Sequence, residues 1–233
     1  MLKILPILLL ALVTGLAMWF FSSWRLRRVL DESARPLTDP VLGAHVAGFA
    51  RLLDLPALQV HVFETSAING LAAPDGRIFI TRGFLDRYRR GEVSSAELAS
   101  VIAHELGHVA LGHYRRRMID FTGQNVVRVM LAVILGRFLP FIGIWIADLL
   151  ATVIAARLSR RDEYEADEWA AALLTKAGIG TAPQKSMFRK LAAMVPAAGM
   201  PAWLMSHPRI EERIAAIEAL ERRWSIGVAG ESP

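Results

Sequence analysis

Apolar positions are unevenly spread along this chain. Ile4 to Phe21 is eighteen residues without a charge. At 1.5 Å per residue a helix of that length spans about 27 Å, close to the hydrocarbon thickness of a bilayer. Trp19 and Trp24 fall where interfacial aromatics sit, and Arg25, Arg27 and Arg28 follow. The pattern predicts an N-terminal transmembrane helix within residues 1–24. A cleaved signal peptide would carry small residues where Met18-Trp19-Phe20-Phe21 stands. The arginines beyond the apolar run, with Arg35, outweigh the N-terminal amine and Lys3. The positive-inside rule therefore predicts a single span in the cell (inner) membrane with the body on the cytoplasmic side, the extracytoplasmic face being the alternative.

A second apolar stretch, Val126 to Leu158, is broken by Arg128, Arg137, Pro140 and Asp148 and flanked by arginines on both sides. Basic clusters at both ends argue against one crossing, and the stretch is short for two. It reads as a membrane-proximal hairpin or as a buried helical segment. Elsewhere the periods are those of a folded domain. Leu42, Val46, Phe49, Leu52 and Leu53 share one helical face between Pro40 and Pro56. Val60 and Val62 alternate as in a strand, and the segments 69–73 and 77–81 flank Pro74-Asp75-Gly76 as a hairpin. Ser94 and Glu97 form a capping box that starts a helix through about Tyr114. Further helices are predicted over 159–177, from Thr181, and from Pro208 to about Trp224. The fold class is α+β, predominantly helical, with a small antiparallel sheet. The expected organisation is an anchor at 1–24, one domain over 25–225 that includes the 126–158 stretch, and a short tail at 226–233.

Composition narrows the chemistry. Hydrophobic residues make up 54% and charged residues 21%, far too apolar for a disordered chain. The net charge of +5 comes largely from arginines beside the two apolar stretches, which points to a lipid bilayer rather than nucleic acid as partner. With no cysteine, disulfides, thiol catalysis and thiolate metal sites are excluded.

His104-Glu105-Leu106-Gly107-His108 carries the chemistry. Four residues turn a helix by about 400°, so both imidazoles stand on one face, one turn apart, as ligands of a single Zn2+ ion. Glu105 follows the first ligand in the place of a general base. The flanking Val101, Ile102, Val109 and Leu111 are apolar, so the histidines are carried into packing, where an imidazole needs a partner. A third ligand cannot be cysteine. Tyr114 stands six residues past His108, where the extended motif has histidine, and His113 points away. His45 and His61 lie outside any motif and read as surface or core residues. The acidic segment Ser159 to Asp167 offers Glu163 and Asp167, one turn apart. Glu163 would ligate and Asp167 would hold a ligand histidine, although the same spacing also suits a solvated charged helix.

Together, His104-Glu-Leu-Gly-His108, Ser159-Arg-x-x-Glu163-Tyr-x-Ala-Asp167 and Ser206-His207-Pro208 with Arg213 resemble the membrane-associated zinc metallopeptidases of the HtpX and CAAX prenyl protease type. The resemblance covers about residues 40–222. It implies a zincin-like metallopeptidase domain with zinc on His104, His108 and Glu163 and Glu105 as the base. It further implies that Asp167 supports a ligand histidine and that His207 stands near the oxyanion. Its substrate would be polypeptide in extended form, from misfolded or membrane-associated proteins. The substrate-pairing strand of the family often carries Asn-Ala, where this chain has Asn69-Gly70. A catalytically silent, chaperone-like member of the same fold is the alternative reading.

Overall fold

A computed structural model describes residues 5–73, 75–139, 142–194 and 210–230. The chain divides into two compact units, Met1–Asp31 with Gly112–Asp162, and Glu32–Leu111 with Glu163–Pro233.

The first unit is helical. It is built from α1 (Leu5–Ser33), α5 (His113–Phe138) and the early part of α6 (Gly143–Lys176). Ser23 is buried and shares a 2.5 Å hydrogen bond with the Tyr114 hydroxyl, and Trp19 lies against the same ring. Arg128 and Asp148 pair at 3.1 Å. Much of this unit's apolar surface is exposed, including Leu9, Leu10, Phe20, Phe21 and Trp24 on α1, Phe138 on α5 and Trp145 and Leu149 on α6. Among the described residues, no helix is long and apolar enough to cross a membrane.

The second unit holds the packed core. Its sheet consists of β1 (Ala34–Pro36), β2 (Val60–Phe63), β3 (Gly70–Ala72) and β4 (Ile78–Thr81), in the order β1-β2-β4-β3. β2 and β4 are parallel, with Val60 opposite Ile78 and Val62 opposite Ile80; the other two pairings are antiparallel. The expected antiparallel sheet is thus corrected to a mixed one. The hairpin exists, but its second arm takes the inner position: all four β4 residues are buried, whereas Leu71 and Ala72 of β3 are half-buried at the edge. Burial on both faces selects the Ile78-Phe79-Ile80 arm for the centre.

Around the sheet lie α2 (Pro40–Leu52), α3 (Arg82–Arg89), α4 (Ser95–Ala110), the later part of α6, α7 (Ala182–Ala193) and α8 (Ile210–Gly230). Asp39 caps α2 by accepting from the Val41 and Leu42 amides. Leu42 and Phe49 are fully buried on its inner face, whereas Leu52 is largely exposed. The Ser94–Glu97 capping box is formed, and Glu97 also accepts from Lys190 and Ser186 of α7, at 2.7 and 2.6 Å. That buried carboxylate pins the start of α4 to α7. Every residue of α4 from Glu97 to His108 is buried, so the helix threads the centre of its unit.

Candidate metal centre

On α4, His104, Glu105 and His108 are 3%, 2% and 7% exposed. The two imidazoles stand at 88° with centroids 4.7 Å apart, and their Nε2 atoms are 3.1 Å from each other. From α6, Glu163 points at the same place. Its Oε2 lies 3.4 Å from His104 Nε2 and its Oε1 3.5 Å from His108 Nε2. Two ligands bound at about 2.0 Å to a tetrahedral ion lie about 3.3 Å apart, so these three edges suit one small cation. With both imidazoles neutral, as metal ligands must be, three buried carboxylates (Glu105, Glu163, Asp167) against one guanidinium (Arg213) leave a charge of −2, matched to a divalent ion.

Two glycines let these groups meet. A Cβ on Gly107 would lie 2.9 Å from the Ala166 carbonyl oxygen and 3.1 Å from its Cα. With backbone atoms in the way, any side chain there would force α4 and α6 apart. Gly70 opens β3 beside Glu105: a Cβ there would stand 2.8 Å from Val101 Cγ1 and 3.2 Å from Glu105 Oε1. The departure from Asn-Ala therefore leaves room over the carboxylate. Asn69 lies at the head of this edge strand, its amide donating to Thr81 Oγ1 at 3.0 Å.

Asp167, one turn beyond Glu163, accepts from His104 Nδ1 at 2.9 Å. This leaves the His104 Nε2 atom toward Glu163 and His108, the arrangement in which a carboxylate orients a ligating imidazole. Burial disfavours the imidazolium, but Asp167 and Glu163 more than offset it and raise the His104 pKa from 6.5 to about 9. Burial likewise opposes ionisation of Asp167, yet the Arg213 cation, its hydrogen bonds and those from His104 hold that carboxyl below its usual range.

The His104 shift has a measurable consequence in metal-stripped protein. Because the folded pKa is raised, the proton's stabilisation is fully present below about pH 6.5 and is lost as the pH rises through about 9. Denaturant unfolding of the stripped protein should therefore show stability falling between those values. A flat or rising profile across that window would contradict the pairing of His104 with Asp167.

His104, His108, Glu163 and Asp167 are thus brought together, with the buried Glu105 against Gly70 of β3 and Asn69 just before that strand; His207 lies outside the described residues. Arg213, which the sequence places only in the motif after Pro208, has a contact that no spacing marks. It is 1% exposed, donates from Nε and Nη2 to both Asp167 oxygens at 2.5 and 2.7 Å, and lies over the Phe188 ring at 4.3 Å. The available signal was an arginine on the apolar stripe Ile210, Ile217, Leu220 of the last helix.

The family model described as Peptidase family M48 matches residues 36–221. Metalloprotease LoiP of Escherichia coli (strain K12) is 33% identical over 133 residues, covering 57% of this chain and 51% of that protein. Protease HtpX of Pseudomonas putida (strain W619) is 31% identical over 199 residues, 72% of this chain and 63% of that protein. Metalloendopeptidase OMA1, mitochondrial, of Homo sapiens is 26% identical over 181 residues, with 72% and 34% covered. The chain spans about half the length of these relatives. The matched stretch holds the whole cluster from His104 to Arg213, and by it the chain belongs to peptidase family M48.

Proposed function

We propose that this chain is a membrane-attached, zinc-dependent endopeptidase that hydrolyses peptide bonds in extended segments of misfolded or membrane-associated proteins. The observation that carries this reading is the convergence of buried His104, His108 and Glu163, with the buried Glu105 of the same helix lying against Gly70 of the edge strand β3. Two imidazoles and one carboxylate are a zinc donor set that leaves a coordination position open. Bound zinc would supply a Lewis acid that lowers the pKa of water and polarises the scissile carbonyl.

The protein's own groups do the rest. Glu105 takes the proton of the attacking water and returns it to the leaving amine. Asp167 holds His104 in the tautomer that presents Nε2. The side of β3 that is unpaired among the described residues, from Gly70 with Asn69 just before it, takes an extended substrate by main-chain pairing, which favours unfolded segments over folded surfaces. His207 is assigned the oxyanion by its place in the Ser206-His207-Pro208 motif. An intact, buried Glu105 speaks against a silent binding protein.

The wild-type chain, purified whole, is expected to hold one zinc and to cleave a reduced, unfolded polypeptide, with cleavage lost to a chelator and restored by zinc. One zinc without any cleavage would favour the silent reading; no bound metal would end the metal reading.

Membrane attachment is supported by the uncharged run from Ile4 to Phe21 and by the exposed Leu9, Leu10, Phe20, Phe21 and Trp24. The exposed apolar side chains of Phe138, Trp145 and Leu149 support contact of the 126–158 segment with the same bilayer. The basic flank beyond the apolar run, Arg25, Arg27, Arg28 and Arg35, favours a cytoplasmic catalytic unit. A reporter fused to the C-terminus should read cytoplasmic; an extracytoplasmic signal would reverse the orientation.

A further inference from the structure

Charge alone does not explain why an arginine stands at this centre. Arg213 Nη1 is 3.8 Å from Glu163 Oε2, so a fixed positive charge adjoins a place that suits a cation. Two like charges at that range repel, and attraction for the metal would select a neutral or acidic residue instead. The geometry offers a different reason. The guanidinium takes both Asp167 oxygens through a planar fork, and Oδ1, which receives Nη2, also accepts from His104 Nδ1. Phe188 of α7 lies under the guanidinium and fixes its plane. Gln184, also on α7, donates to the Asp167 carbonyl at 3.3 Å and steadies the backbone beneath. The Asp167 carboxylate therefore has little freedom to rotate, and neither has the imidazole that hydrogen-bonds to it.

We propose that Arg213 is a positioning residue for the metal centre: its two-point grip sets the plane of Asp167, and through it the direction in which His104 Nε2 points. This rests on the metal-binding reading of His104, His108 and Glu163. The required property is the fork, not the charge. Lysine keeps the charge but grips as a single point, and so leaves the carboxylate free to turn.

The test uses the whole chain as wild type, Arg213→Lys and Ile217→Ala. Ile217 is fully buried on the same helix and has no part in the cluster, so its alanine variant controls for weakened packing. Zinc affinity is measured by chelator competition, and the visible spectrum of the cobalt-substituted protein reports ligand geometry. Arg213→Lys should lower zinc affinity by about tenfold to a hundredfold, the range for losing the outer partner of a metal ligand, and should shift the cobalt bands. Ile217→Ala should match wild type in both. Wild-type affinity and an unchanged cobalt spectrum in Arg213→Lys would reduce Arg213 to an ordinary interior ion pair and overturn the proposal. Equal losses in Ile217→Ala would overturn it as well, by tracing the effect to general packing. A wild type that binds neither metal would remove the underlying reading and the proposal together.

Discussion

Replacing Glu105 with glutamine is expected to cut peptide hydrolysis by at least about a hundredfold, and by as much as about ten-thousandfold, while zinc stays bound. Glu105 is next to His104 in sequence, about 100° around the helix from it, and is not one of the three convergent donors; the proposed reaction assigns it the role of base. Glutamine matches its volume in a site that is 2% exposed beside Gly70 of β3, so the packing there is retained. The amide has no basic oxygen with which to take a proton at neutral pH. Turnover of an unfolded substrate, measured beside zinc content, separates the two effects. Wild-type cleavage by the zinc-loaded variant would sink the assignment of the base; loss of zinc would mean that Glu105 also helps to hold the metal.

Both halves of the candidate metal cluster are legible in local spacing, because each lies within one helical turn. His104 and His108 are one turn apart, and so are Glu163 and Asp167. Spacing does not show that the two turns face each other. That depends on Gly107 meeting the Ala166 backbone, a contact between residues 59 apart in sequence. Arg213 was hidden for a similar reason: a single arginine on an apolar stripe reads as an interruption until Asp167 and Phe188 are seen beneath it.

The fold was legible where a pattern had length. β2, the hairpin, α2 and the capped start of α4 all follow their periods. β1 has three residues, too few for alternation to register, and its pairing with β2 supplies what its sequence lacks. No element is assigned to α3 from the sequence, because its single buried pair, Phe84 and Leu85 among Arg82, Asp86, Arg87 and Arg89, is too short to establish a helical period. The change from apolar to charged residues predicts a helix start at Ser159, but α6 begins at Gly143. Backbone hydrogen bonding continues through a change of environment that side-chain pattern treats as a boundary.

Glu163→Ala is expected to remove bound zinc more completely than any change at Arg213, because it deletes a donor rather than the support of one. Two imidazoles would remain, and the site would fall from −2 to −1, so both the ligand count and the field that draws a divalent ion decline. The loss should exceed the tenfold to hundredfold expected for an outer partner. Metal analysis after dialysis against a weak chelator reads it directly, and unchanged zinc content would strike Glu163 from the ligand set. A second measurement guards against simple unfolding. Glu163 is one of the two groups that raise the His104 pKa, so its removal should narrow the pH interval over which the stripped protein loses stability. A folded variant with less zinc and a narrower interval has lost a ligand that faced His104. A variant whose stability profile keeps its full width would show that Glu163 does not act on His104, whatever its zinc content.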